Sequence, residues 1–139
     1  MTQTILAPVI ALALWTFVMW AWLYATRIPA MARLKLIADP RRPGREFTEA
    51  LPHQARWVAD NYNHLMEQPT LFYAVALTIA FAGDGGTVDI ALAWIYVVLR
   101  IAHSLIQATV NVIPVRFMVF SLASLALLTL AIRAAMLVF

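Results

Sequence analysis

From Ile5 to Ala25 the chain is apolar or aromatic at every position but Thr16. About 20 such residues span the hydrocarbon core of a bilayer as one helix. In lipid the backbone must satisfy its own hydrogen bonds, which restricts a spanning chain to helices or a closed barrel. The rest of the composition agrees. Of 139 residues, 63% are hydrophobic and 12% charged, about half the charged share of a soluble domain. So much apolar surface has no place in a small water-soluble core. We therefore expect an all-α, integral membrane four-helix bundle forming a single domain over residues 1–139, in contact with the lipid bilayer.

The first helix is expected over about residues 4–27. It resembles a signal peptide superficially, but the run is too long and its basic residues follow the apolar stretch rather than precede it. Trp15, Trp20, Trp22 and Tyr24 crowd its second half, as aromatic residues do at an interface. A solvated loop with Pro29, Pro40, Pro43, Gly44 and Pro52 comes next, with Pro40 to Gly44 as turn chemistry. The favoured reading is a plain positive-inside loop, and the alternative is a short basic amphipathic turn over Met31 to Ile37 lying on the headgroups. The second helix is expected over about residues 53–83. Pro69 lies inside it and cannot donate to the carbonyl of Leu65, so the helix should bend or loosen there. Asp84-Gly85-Gly86 makes a tight turn, a third helix covers about 88–112, and a fourth covers about 114–138, with Pro114 suited to its first turn.

Seven of the ten basic residues lie between Arg27 and Arg56. Flanking a spanning helix, such a cluster reads as an orientation and anionic-lipid signal rather than a nucleic-acid surface. With Arg116 at the third turn, it places the first loop and that turn in the cytoplasm and both chain ends outside. Arg133 opposes this mildly and is expected to snorkel to the far interface. No cysteine is present, which excludes disulfides, thiolate metal ligands and a cysteine nucleophile.

Chemistry concentrates in two stripes. At about 100° per residue, Arg56, Asp60, Asn63, His64 and Glu67 occupy one side of the second helix. Arg100, His103, Ser104, Gln107 and Asn111 recur at spacings of three and four on the third. Both stripes fall in the cytoplasmic halves of their helices. Ionisable groups at membrane depth are costly and face a bundle interior, a partner or a cavity. We read the stripes as the walls of one site, where Arg56, Arg100 and Arg116 converge on an anionic ligand. The plainer reading keeps an Arg100–Glu67 ion pair and interhelical hydrogen bonds from Asn63, Gln107 and Asn111 as structure alone. Two histidines and a carboxylate without a metal-binding helix motif do not indicate a metal.

Asn63-His64-Leu65-Met66-Glu67-Gln68-Pro69-Thr70-Leu71-Phe72-Tyr73, followed by Arg100-Ile101-Ala102-His103-Ser104-Leu105-Ile106-Gln107 and by Asn111 and Arg116-Phe117, resembles the MAPEG family. These are membrane-associated proteins in eicosanoid and glutathione metabolism, and the likeness is closest to a bacterial branch. The resemblance implies a homotrimer in a bacterial inner membrane. Glutathione would sit at a cytoplasm-facing cleft between subunits, as substrate or cosubstrate, and a lipophilic small molecule would come from the bilayer. It implies a transferase or peroxidase, or a non-catalytic binder. By motif, Glu67 and Arg100 match the family's second-helix glutamate and third-helix arginine, and Arg116 is the candidate catalytic arginine that activates the thiol. Arg56, Asn63, His64, Glu67, Arg100, His103, Gln107 and Asn111 are the candidate glutathione-binding residues. The chain departs from the pattern in that His64 stands where an asparagine precedes the glutamate by three, Asp60 stands where an arginine is expected, and His103 and Gln107 replace tyrosines.

The alternative function is a membrane scaffold or lipid-ligand-binding protein whose polar stripes hold an oligomer together. A transporter fits less well, because four helices without an internal repeat offer little for alternating access.

Overall fold

The computed structural model describes residues 4–83 and 85–139. Its helices, in order, are α1 (Leu6–Arg33), α2 (Gly44–Glu49), α3 (His53–His64), α4 (Gln68–Ala82), α5 (Thr87–Thr109) and α6 (Ile113–Val138). There is no strand among the described residues. Among the described residues, four stretches are long and apolar enough to cross a membrane: α1, α3 with α4, α5, and α6.

The bundle is an inside-out version of a soluble core only in part. Leu14, Phe17, Phe81, Phe117 and Leu125 all lie on the outer surface, where acyl chains are the natural solvent. The buried seam is built instead from small and tightly fitted side chains. On α6, Ala123, Ala126, Leu127, Leu130 and Ala134 recur at spacings of three and four and form the buried stripe. Alanine at these positions lets neighbouring backbones approach closely, which supplies the dispersion contacts that drive helix association in lipid. Phe72 of α4 stacks on Tyr96 of α5 at 4.6 Å between ring centroids, and Leu12 and Met19 of α1 complete the centre. Helix α5 is the axis of the bundle, packed against α1, α3 and α6.

Several boundaries differ from the sequence expectation. Helix α1 does not stop near residue 27. It carries Pro29 within it and runs to Arg33. It ends where Lys35 takes a left-handed backbone, φ +48°. The basic turn expected over Met31 to Ile37 is divided: Met31 to Arg33 end α1, and Leu34 to Ile37 lead out of it as turn and loop. The loop itself contains the short α2, started after Pro43. Phe47 of α2 lies under the Arg27 guanidinium at 5.6 Å, a cation–π contact that folds the loop back on the end of α1.

Helix α5 stops at Thr109, three residues before the expected end. Asn111 adopts φ +48°, and its N–H donates to the Ile106 carbonyl at 2.7 Å. A residue in the left-handed region is a standard helix stop, and asparagine tolerates it better than most side chains. Asn111 is thus a terminator rather than the last member of a helical stripe. At the other end of the bundle, Arg133 does not merely snorkel. It forms a two-pronged ion pair with Asp89 near the start of α5, and Asp89 also accepts from the Gly86 N–H.

Candidate functional site

The second spanning segment breaks at its polar stretch. Helix α3 ends at His64, α4 begins at Gln68, and Pro69 occupies the first turn of α4. The residues between are tightened, with Met66 N–H donating to Asn63 and Glu67 N–H to His64. The cause is the one the sequence indicates: Pro69 has no N–H for the Leu65 carbonyl, so the α-helical ladder cannot continue through it.

Arg100 of α5 fills the space opened by this break. Its Nη2 donates to the His64 carbonyl at 3.1 Å, satisfying a carbonyl at the end of α3. The Arg100 side chain is fully buried, with its guanidinium carbon 5.7 Å from the Phe120 ring centre. Its Nε and Nη1 are buried without a hydrogen-bond partner. Among the described residues no carboxylate lies within ion-pair distance of it. The simple structural pairing of Arg100 with Glu67 is therefore not what the fold contains. Glu67 turns back instead to His64, whose Nδ1 lies 2.9 Å from a Glu67 carboxylate oxygen.

Around this point the side chains of three helices meet. The His64 and His103 rings are 5.1 Å apart, and Phe120 of α6 lies 5.4 Å from His64 and 6.0 Å from His103. His64, His103, Ile113, Arg116, Phe117 and Phe120 line a pocket of about 190 Å³. Arg116 is oriented by its hydrogen bond to the Asn111 side chain. The stop signal of α5 thus also aims the arginine at the start of α6. A basic and aromatic enclosure of this kind can hold an anion, stack on a flat group or carry a proton between imidazoles.

The two polar stripes lie at the same depth. Arg100 and His103 pack against His64 within one chain, so residues of both stripes meet there. The three arginines do not all converge. Arg116 lines the pocket and Arg100 stands behind Phe120, whereas Arg56 lies two turns earlier on α3, about 12 Å along the axis, and does not line it. Asp60, Asn63 and Glu67 are exposed on the outside of the bundle. Gln107 is buried one turn beyond His103, with its Oε1 unpartnered.

Three residues were not picked out from the sequence. Asn61 is fully buried and donates to Ser104, bolting α3 to α5. Gln68 donates to Ser124 at 2.8 Å and accepts from Tyr96 at 3.4 Å, tying α4 to α6 and α5. Phe120 floors the pocket. Asn61 was legible in principle: it sits on the face of Ala55, Val58 and Leu65, which are all buried, and one amide on an apolar face points to an interhelical bond. A larger hollow of about 860 Å³ lies under the basic loop, lined by Arg27 and Arg42 together with Asp39 and Glu46. Its charges balance, and it shares no lining residue with the histidine pocket.

Comparison with known families decides the broader identity. The MAPEG family model matches residues 5–136. The chain belongs to the MAPEG family. No curated protein and no solved structure matches it. For a MAPEG chain, the placement of the two motifs is coherent: the residues around Glu67 and those from Arg100 to Gln107 meet at the break in the second span. The departures at His64 and His103 lie in the middle of the pocket rather than at its edge.

Proposed function

We propose that this MAPEG protein binds glutathione or a similar anionic thiol at a cytoplasm-facing cleft between the subunits of a homotrimer. The observation that carries the reading is the buried Arg100 guanidinium, held without a carboxylate partner one ring away from a pocket walled by Arg116. An unpaired buried cation is expensive. An anion placed in the pocket meets Arg116 directly and Arg100 across Phe120, in surroundings where charges interact far more strongly than in water.

Size supports the intersubunit placement. A pocket of about 190 Å³ is below the usual range for small-ligand sites, about 300 Å³ upward. A tripeptide needs another wall, and the outward-facing Asp60, Asn63 and Glu67 give a neighbouring subunit a polar surface to provide it. Arg116 stabilises the thiolate as it forms, and each tenfold gain in thiolate corresponds to about 1.4 kcal/mol. A lipophilic electrophile reaches the sulfur from the bilayer past Ile113 and Phe117, both exposed on the outer surface. Transfer of the thiol to that electrophile is the activity that follows.

The scaffold reading keeps one observation in its favour, since those same outward polar residues can serve only to join subunits. Native mass spectrometry of Glu67→Ala separates the two. The ligand reading expects intact trimers that retain less glutathione than the unaltered protein. Dissociation into single subunits, with no glutathione on the unaltered trimer, supports the scaffold and overturns the ligand site. Glu67 is the appropriate position because it is exposed. Arg100→Ala is not, because Arg100 caps α3 inside the subunit and its loss perturbs the fold under either reading.

A further inference from the structure

We propose that His64, oriented by Glu67, is the base that removes the proton from the bound thiol. This assignment rests on the thiol-binding reading above and adds a catalytic residue and a positioning residue to it. A carboxylate accepts hydrogen bonds and cannot donate them. The 2.9 Å contact between Glu67 and His64 Nδ1 therefore places the imidazole proton on Nδ1 and leaves Nε2 with its lone pair. The ring that carries Nε2 lines the pocket together with Arg116. A base and a cation thus share one small cavity, which is the pairing that converts a thiol into a thiolate.

The step balances within these groups. The S–H bond breaks, its electron pair stays on sulfur, and the proton forms a bond to Nε2 of His64. The imidazolium charge is met by the Glu67 carboxylate, and the thiolate charge by Arg116. The other groups facing His64 are Arg100 and His103 from α5, with Phe120 and Arg116 from α6. Arg100 engages the backbone carbonyl of His64, which leaves the ring to Glu67. His103 presents its ring to His64 and holds a buried Nδ1 without a partner. Neither competes with Glu67 for Nδ1. The i,i+3 spacing sets Glu67 beside His64. The turn between α3 and α4 carries Glu67 back over His64, while its outer side stays open.

The test uses the full chain in lipid nanodiscs with glutathione as the probe. Binding is read by calorimetry, and thiolate formation by its ultraviolet absorbance across pH. For the unaltered protein we expect binding, with thiolate appearing at lower pH than for glutathione in solution. His64→Gln should bind within a few-fold of the unaltered protein. Its thiolate should form only at higher pH, leaving roughly tenfold less thiolate at neutral pH. Glu67→Gln should move the same profile in the same direction by a smaller amount, and it serves if His64→Gln does not fold. Binding with an unchanged thiolate profile in the variants overturns the base assignment and leaves the binding reading standing. No binding by the unaltered protein overturns both.

Discussion

The Arg100 guanidinium is held by one backbone carbonyl and one aromatic face, with two nitrogens unmatched by protein acceptors. Lysine would keep the charge but lose the planar fork that reaches both. Arg100→Lys should therefore lower the thermal midpoint and weaken glutathione binding together, as thermal melts and titrations of one preparation will show. Asn111 offers a cleaner separation of shape from chemistry. Its φ of +48° admits glycine without strain but disfavours a β-branched side chain by about 1–2 kcal/mol. Asn111→Gly should retain stability while freeing Arg116 from its partner, so that glutathione affinity falls. Asn111→Val should lose both, measured by denaturation and calorimetry. The sequence placed Asn111 on a ligand-facing stripe because its spacing fits the helix period. The period says nothing of where a helix stops, and the stop is what gives Asn111 its role.

At the scale of elements, the break between α3 and α4 organises the pocket. It was legible because proline's missing donor is a local covalent fact, independent of packing. The spans were legible for a similar reason, since lipid forces apolar residues into contiguous runs. The continuation of α1 through Pro29, the existence of α2 and the Asn61–Ser104 bond were not, because each depends on what the segment meets in space. Pro69→Ala restores a donor to the Leu65 carbonyl and lets α3 and α4 merge. The gain of one hydrogen bond, about 1 kcal/mol, is offset by a looser unfolded chain at about 0.4–1 kcal/mol. Stability should change little. A thermal melt beside the unaltered protein will read it. At the opposite end, Arg133→Gln leaves the buried Asp89 carboxylate without its cation. The melting temperature should fall, and Asp89→Asn added to Arg133→Gln should recover part of the loss. An equal fall in the double variant contradicts the pairing.

At the scale of the whole molecule, the chain is a membrane bundle with one chemically rich region, set where its second span is interrupted. That region lies at the ends of α3 and α5 and the start of α6. Membership of the MAPEG family came from motifs on two helices, and the fold brings those motifs together within one subunit. What a single subunit leaves open is the outer wall beyond Asp60, Asn63 and Glu67, which the trimer is proposed to close. The central claim is that an anionic thiol occupies the enclosure walled by Arg116. Calorimetric titration of the purified protein with glutathione, beside Arg116→Gln, tests it most directly. Saturable binding at or below millimolar glutathione, weakened tenfold or more by Arg116→Gln, is the predicted result. No heat of binding at millimolar glutathione, or equal affinity in the two proteins, contradicts it.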